Sequence, residues 1–435
     1  MLIAAPHAPQ AGSATARTGS PRPLSTADTR PASRRSRIVS PTLGVTEGPA
    51  AAVFRAAAFG GPIYRDDGAR ASGASAATVN RHVSAMLSAG LLRERPDLAV
   101  SGAAGRPRIP FEINHEPYLT VGIHIGAIVT SVIVSDLRGR ILGGVDLPTP
   151  RGGSESALAT ITASARRFVT RWHRRRPLWV GVALGGRVDP ATGVVDHARL
   201  GWTGARVGAV IGSGFGLPVS VAAQVEAMAA SELLLTPQRT VNTEERGNEL
   251  YFYARETVGV AVTFDGRVHT PAAGPGSIAH LSTGSDVPCE CGATGCLEVT
   301  VGDRGVLRAA QRAGVLPTTA TLPPIVALYR EARSGSTAAQ QILTERAQTL
   351  GRAVAVVRDL FNPDRVTLGG QAFTDYPEAV PHVAQALSRA GRVGGADAHI
   401  TRFGKRVQEH AACAVSLSSL YSNPLAAMRK ASVRV

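Results

Sequence analysis

Several residue types are scarce in this chain. Cysteine occurs four times in 435 residues, methionine four times, and aromatic side chains make up 5%. So few thiols exclude a disulfide-stapled secreted scaffold. Lysine is nearly absent: Lys405 and Lys430 are the only two, so the 47 cations are almost all arginine. Acidic residues number 32, which leaves a formal net charge of +15. That balance suits a polyanionic partner, double-stranded DNA first. Arginine usage imposed by genome composition is the competing explanation. No apolar run approaches the ~18 residues of a membrane span. The N-terminus has no charged segment leading into an apolar core. Together with free thiols, these features lead us to expect a cytoplasmic protein with no membrane contact.

The length and the 44% hydrophobic content allow a large core and at least two domains. Residues 1–48 are rich in Ala, Pro, Ser, Thr and Arg, and read as a disordered tail. Residues 49–115 read as three short helices and two strands. Ala51 to Ala58 is closed by Gly60, Gly61 and Pro62; Arg65 to Ser72 is followed by a turn at Gly73; Ser75 caps a third helix that runs to Ser88 and stops at Gly90. In the third helix Val79, Val83, Met86 and Leu87 form one apolar stripe. The opposite face carries Ala77, Asn80, Arg81 and Ser84. These are the small and hydrogen-bonding side chains that read base edges in a major groove. Leu91 to Arg95 and Ile109 to Ile113 read as strands. The basic, glycine-rich loop 101–108 joins them as a wing, with Arg106 and Arg108 aimed at the duplex. This is the order of a winged helix-turn-helix; the alternative is a helical hairpin that binds protein.

From Tyr118 the pattern changes. Leu119–Gly126, Thr130–Gly139 and Arg140–Val145 read as a β-meander, a helix follows from Ser154, and Leu178–Leu184 is a buried strand. This β-β-β-α-β order opens each half of an actin-like, ribonuclease-H-like α/β fold. A second half starts near Glu249 and includes a strand ending at Gly369 and Gly370. Residues 118–435 are thus expected to form a two-lobed domain.

Three of the four cysteines fall within eight positions. The stretch Gly276-Ser277-Ile278-Ala279-His280 leads to Cys289, Cys291 and Cys296. Three thiolates and one imidazole, His280, make a closed tetrahedral site for structural Zn²⁺. Gly292 and Gly295 let the chain double back so that Cys296 reaches the same ion. Clustered thiols with no metal are the competing reading. Cys413, in an apolar run, reads as a small buried hydrophobe.

The same stretch resembles the ROK family of bacterial sugar kinases and sugar-responsive repressors, whose signature is G-E-x-G-H followed by C-x-C-G-x-x-G-C-L-E. The cysteine half is complete; Ser277 and Ala279 replace the Glu and Gly of the histidine half. The resemblance implies an N-terminal winged helix-turn-helix on an actin-like domain, working as a DNA-binding regulator of the repressor type, as a homodimer or dimer of dimers. It also implies that kinase chemistry is lost. His124 stands at the metal-binding Asp, Ile128 at the phosphate-binding Thr and Gln224 at the catalytic Asp. Arg255 to Gly259 replaces a glycine-rich phosphate loop. Among the family's sugar contacts, Arg199 stands for an Asn, Ala222, Ala223 and Gln224 for the E-N-D segment, and Ser277 for the Glu. Only His280 is kept. Two readings follow for Arg199, Gln224, Ser277 and His280: a cleft retuned for an anionic sugar-derived effector, or a vestigial cleft. A regulator or scaffold with weak DNA binding, working through protein contacts, is the second reading of the whole chain, and a sugar kinase the third. Gly68 stands where ROK repressors carry an aliphatic core residue, so a void is expected there.

Overall fold

The computed structural model describes residues 37–99, 108–237, 247–271, 277–319, 321–390 and 398–432. Residues 1–36 and 101–107, the latter holding Arg106 and most of the expected wing loop, lie outside the described residues.

The chain begins with three helices, α1 (Pro49–Gly60), α2 (Arg65–Ser72) and α3 (Ala76–Ser88), and an antiparallel pair, β1 (Leu92–Glu94) and β2 (Phe111–Ile113). Ser75 caps α3 by accepting the Thr78 N–H at 3.3 Å, and Gly90 ends it with φ +72°, a left-handed turn open to glycine. Val79, Val83 and Met86 are fully buried on its inner side. The void expected at Gly68 is absent. A β-carbon there would sit 3.3 Å from Val79 Cγ1 and 3.4 Å from Val53 Cγ2. The missing side chain instead lets α2 pack close against α1 and α3, where valines fill the space.

Two lobes of like topology follow. The first sheet has the order β10-β6-β3-β4-β5. It is built from β3 (Tyr118–Ile125), β4 (Val129–Ser135), β5 (Ile141–Pro148), β6 (Arg176–Leu184) and β10 (Val219–Ala223), with helices α4 (Ser154–Val169), α5 (Val207–Phe215) and α6 (Gln224–Leu234). A small antiparallel sheet, β7 (Arg187–Asp189), β8 (Val194–His197) and β9 (Trp202–Ala205), sits at its rim. The second sheet has the order β13-β12-β11-β14-β15. Its strands are β11 (Glu249–Ala254), β12 (Val258–Phe264), β13 (Arg267–Val268), β14 (Arg365–Gly369) and β15 (Ala398–Ile400). Around it lie α7 (Leu297–Val301), α8 (Asp303–Arg312), α9 (Val326–Arg333), α10 (Thr337–Phe361), α11 (Gln371–Thr374) and α12 (Val380–Ala390). In each sheet three antiparallel strands precede two parallel ones, so the β-β-β-α-β expectation holds. The parallel strands β6 and β10 read as nearly continuous apolar runs because both faces are covered, whereas the edge strand β15 is exposed.

Helices α13 (Val407–Ser422) and α14 (Pro424–Ser432) close the chain. Helix α13 lies across the first sheet and also meets α1. Phe54 and Phe59 each meet the Tyr421 ring edge-on at 6.0 Å. Arg55 donates to the Tyr421 carbonyl at 3.2 Å. On the other side Glu112, 3% exposed in β2, takes Arg93, Arg95 and Arg138, at 2.8, 2.9 and 2.8 Å. The three-helix unit is therefore seated firmly on the first lobe.

One boundary needs correction. The tail expected through residue 48 ends earlier, because residues 37–48 are ordered. Val219 N–H donates to Arg37 O and Val39 N–H to Val219 O, at 2.9 and 2.8 Å, extending β10. Val268 N–H donates to Leu43 O and Val45 N–H to Gly266 O, both at 2.9 Å, extending β13. Leu43 and Val45 are 6% and 2% exposed. This strap bridges to one sheet edge of each lobe and runs straight into α1. Its apolar residues come in pairs on either side of Pro41, too short to outweigh the surrounding Pro, Ser and Thr in a compositional reading.

Candidate metal centre, interlobe cleft and nucleic-acid face

The cysteine loop is a hairpin held by its own backbone. Cys289 N–H donates to Ala293 O at 2.9 Å, Gly295 N–H to Val287 O at 2.8 Å and Thr283 N–H to Gly295 O at 2.8 Å. Gly292 and Gly295 have φ of +89° and +70°, as the doubling-back requires. A β-carbon on Gly295 would collide with the Ser285 carbonyl. The ligand atoms of His280, Cys289, Cys291 and Cys296 all lie within 4.8 Å of one another. Cys289 Sγ is 3.6 Å from His280 Nδ1, and Cys291 Sγ is 3.6 Å from Cys296 Sγ. A tetrahedron with bonds of about 2.0–2.3 Å has edges of about 3.5–3.8 Å, so the donors fit one ion. The Ala293 N–H and the neighbouring thiols bring the Cys291 thiol down to about 7, while burial and those thiols push Cys296 up to about 12. Cys296 also caps α7, so the loop fixes the helix that carries Glu298.

Between the lobes, the positions that would contact ligand contact each other. Arg199, in the turn after β8, reaches the second lobe. Its Nη2 lies 2.7 Å from Glu298 Oε1 and donates to the Glu256 carbonyl at 3.1 Å. Glu298 Oε2 accepts the Val258 N–H at 3.2 Å. His124 is buried and donates from Nε2 to Gln224 Oε1 at 3.2 Å. Gln224 Nε2 in turn donates to Thr257 Oγ1 at 3.4 Å, again crossing to the second lobe. Burial brings His124 down to about 4 and, helped by the Arg199 charge, lowers His197 as well. Both imidazoles are neutral at neutral pH, and the one guanidinium among the three is paired. Arg255 Nη1 donates to Gln408 Oε1 at 3.1 Å, at the start of α13. Ile128, where a phosphate-binding hydroxyl was expected missing, is 62% exposed.

The candidate ligand residues do not form one group. Arg199 and Gln224, both on the first lobe, reach across the interlobe gap to Glu256 and Glu298 and to Thr257 respectively. His280 is exposed and sits in the cysteine cluster. Ser277 is exposed, and its Oγ accepts the Ala279 N–H at 3.2 Å. Glu298 was visible in the C-L-E motif, but nothing in the sequence pairs it with an arginine 99 residues away.

On α3, Ala77, Asn80, Arg81 and Ser84 are all exposed on the side away from Val79, Val83 and Met86. Arg108 is exposed and pairs with Asp66 of α2 at 2.6 Å. Cys413 is buried in α13, as its apolar run implies.

Comparison with known proteins places these features. A model of the ROK family matches residues 120–415. "Transcriptional regulator Rv0485" of Mycobacterium tuberculosis is 52% identical over 400 residues, covering 90% of each chain. "DNA-binding transcriptional dual regulator NagC" of Escherichia coli is 22% identical over 335 residues, 74% of this chain and 80% of that one. The crystal structure of a ROK family transcriptional regulator, a homolog of the E. coli MLC protein, superposes with a TM-score of 0.72 at 22% identity. It covers 88% of this chain and 98% of that one. Among the described residues no helix is long and apolar enough to cross a membrane. The matched domain and the similarity along most of the chain agree with the fold: the chain belongs to the ROK family, and its relatives over that length are transcriptional regulators.

Proposed function

We propose that the chain is a sequence-reading, DNA-binding transcriptional regulator of the repressor type. Residues 49–115 would act as a winged helix-turn-helix, with α3 as the reading helix. The observation that carries this is the exposed face of α3, where Asn80 and Arg81 stand without ion pairs among the described residues, beside the strand pair that flanks the wing position. Asn can read adenine and Arg guanine there, while Arg106 and Arg108 would hold phosphate or the minor groove. Selection from a random duplex pool tests this: an inverted repeat should emerge and should be lost with Arg81→Ala. A pool that stays random contradicts it. Half-sites spaced by whole helical turns would fit a homodimer or dimer of dimers.

The actin-like domain would bind and signal without phosphoryl transfer. A neutral His124 cannot replace a carboxylate on Mg²⁺, and Gln224 cannot take a proton from a hydroxyl. Incubation with ATP and hexoses should give no sugar phosphate above the protein-free rate; turnover overturns this reading. His280, Cys289, Cys291 and Cys296 would hold structural Zn²⁺, tying the loop to α7.

The cleft itself would rest in a state closed by its own side chains. Arg199 is the clasp, with Glu298 as its partner. An anionic sugar-derived effector would have to displace Glu298 from Arg199, and its carboxylate or phosphate would take over the guanidinium. Opening would then pull on the strap, which pairs with both lobes and continues into α1. That gives a route from lobe angle to reading-helix spacing. Calorimetry with neutral hexoses, sugar acids and sugar phosphates separates the cases. Heat from the anionic ligands alone supports displacement, and micromolar binding of a neutral hexose contradicts it.

A further inference from the structure

One group of exposed cations lies beside the helix that packs on α3. Helix α14 packs against α3, and its last turn exposes Arg429 and Lys430. Arg176, at the start of β6, donates to Ala431 O at 3.0 Å and Ser432 Oγ at 3.3 Å, which pins that strand start next to the same turn. Its neighbour Arg175 donates to His115 O at 2.7 Å, just past β2. Immediately before lie Arg171 and Arg174, both exposed, in and after the 3-10 turn Thr170–Trp172. Two segments far apart in sequence, 171–176 and the end of α14, thus bring their cations together beside the helix that packs on α3.

Among the described residues Arg171, Arg174, Arg429 and Lys430 have no acidic partner. The neighbouring carboxylates are taken: Glu116 and Glu112 are held by Arg93, at 3.1 and 2.8 Å. Basic residues at a helix end complement its dipole, which explains Arg429 and Lys430 one at a time. It does not explain why the segment carrying Arg174 and Arg171, the latter stacked over the Phe168 ring at 5.2 Å, is pinned beside them, where like charges repel. A polyanion of regular spacing resolves that repulsion, and the one such partner this region would already face is the duplex.

We propose that Arg171, Arg174, Arg429 and Lys430 form a second phosphate-binding surface that holds the duplex beyond the base pairs read by α3. This rests on the DNA-reading function above and adds to it a sequence-independent contact with flanking DNA. Such a surface fixes register and supplies affinity, while α3 supplies discrimination. Helix α3 is about 20 Å long, or roughly six base pairs, so the flank required is short.

The test uses the full chain, loaded with its metal, and two fluorescent duplexes bearing the repeat obtained by selection. One ends at the repeat and the other continues about ten base pairs on each side. The double substitution Arg429→Gln with Lys430→Gln lies on exposed positions, and a thermal melt matching wild type confirms its fold. On the flanked duplex, where a homodimer loses two contacts per subunit, the variant's log-affinity against log-salt slope should be shallower by about 4. Between 50 and 200 mM salt it should therefore lose about 150-fold less affinity than wild type. On the short duplex the two proteins should have equal slopes. Equal slopes on the flanked duplex overturn the proposal and leave sequence reading intact. If selection yields no sequence and Arg81→Ala binds like wild type, DNA reading itself fails, and this surface with it.

Discussion

Breaking the Arg199 clasp should loosen the two lobes by a calculable amount. Arg199→Ala removes an ion pair with Glu298 whose side chains are 37% and 24% exposed. Partial exposure limits the pair to about 0.5–1 kcal/mol. The bond to the Glu256 carbonyl adds about 0.5–1 kcal/mol. The closed state should therefore lose about 1–2 kcal/mol, which raises the open fraction roughly 5- to 30-fold. Amide hydrogen exchange reads this directly, because the Val258 N–H is held by Glu298 Oε2 at 3.2 Å. Its protection, and that of the turn 198–201, should fall by that factor. Amides of α12, which packs on α10 on the outside of the second lobe, should not change. A cycle of Arg199→Ala, Glu298→Gln and the double variant should show a coupling of about 0.5–1 kcal/mol, shrinking at high salt. Exchange at Val258 that moves less than twofold, or fully additive variants, refutes the clasp.

Three further outcomes follow from the same geometry. Protein purified without chelator should carry about one zinc per chain by mass spectrometry of the metal, and Cys291→Ser should lose both the metal and the protection of α7; metal-free wild type contradicts the site. Burial pushes the Glu226 carboxyl from 4.5 up to about 7. The fold therefore binds that proton more tightly than the unfolded chain does, and stability falls as pH rises from about 4.5 to about 7. Glu226→Gln should raise stability at pH 8 by about 2–3 kcal/mol and give no gain at pH 4, read by urea titration at both; an equal effect at both contradicts the assignment. Leu43→Ala in the strap should cost about 2 kcal/mol and speed exchange at Val219 and Val268 together, since one segment serves both edges; loosening of only one edge means that the strap does not link the lobes.

The elements carried by local chemistry could be read in the sequence. Ser75, Gly90 and the stripe Val79, Val83, Met86 define α3 within a residue, because caps and periodicity are short-range signals. The His280, Cys289, Cys291 and Cys296 grouping was equally plain, since four donors lie within 17 positions with glycines where the turn needs them. What escaped depends on distant partners. The strap is ordered only because β10 and β13 offer open edges. Gly68 leaves no void only because Val53 and Val79 are branched and close. Arg199 suggested an anion site when considered alone. Its charge is paired with Glu298, and burial holds His124 and His197 neutral.

The most direct test of the account is capture of genomic DNA fragments by the full chain at moderate salt, run beside Arg81→Ala. Enrichment of a common inverted repeat by wild type, lost in the variant, is the predicted result. Capture that ignores sequence, weakens only with salt and survives Arg81→Ala would contradict a regulator that reads DNA through α3.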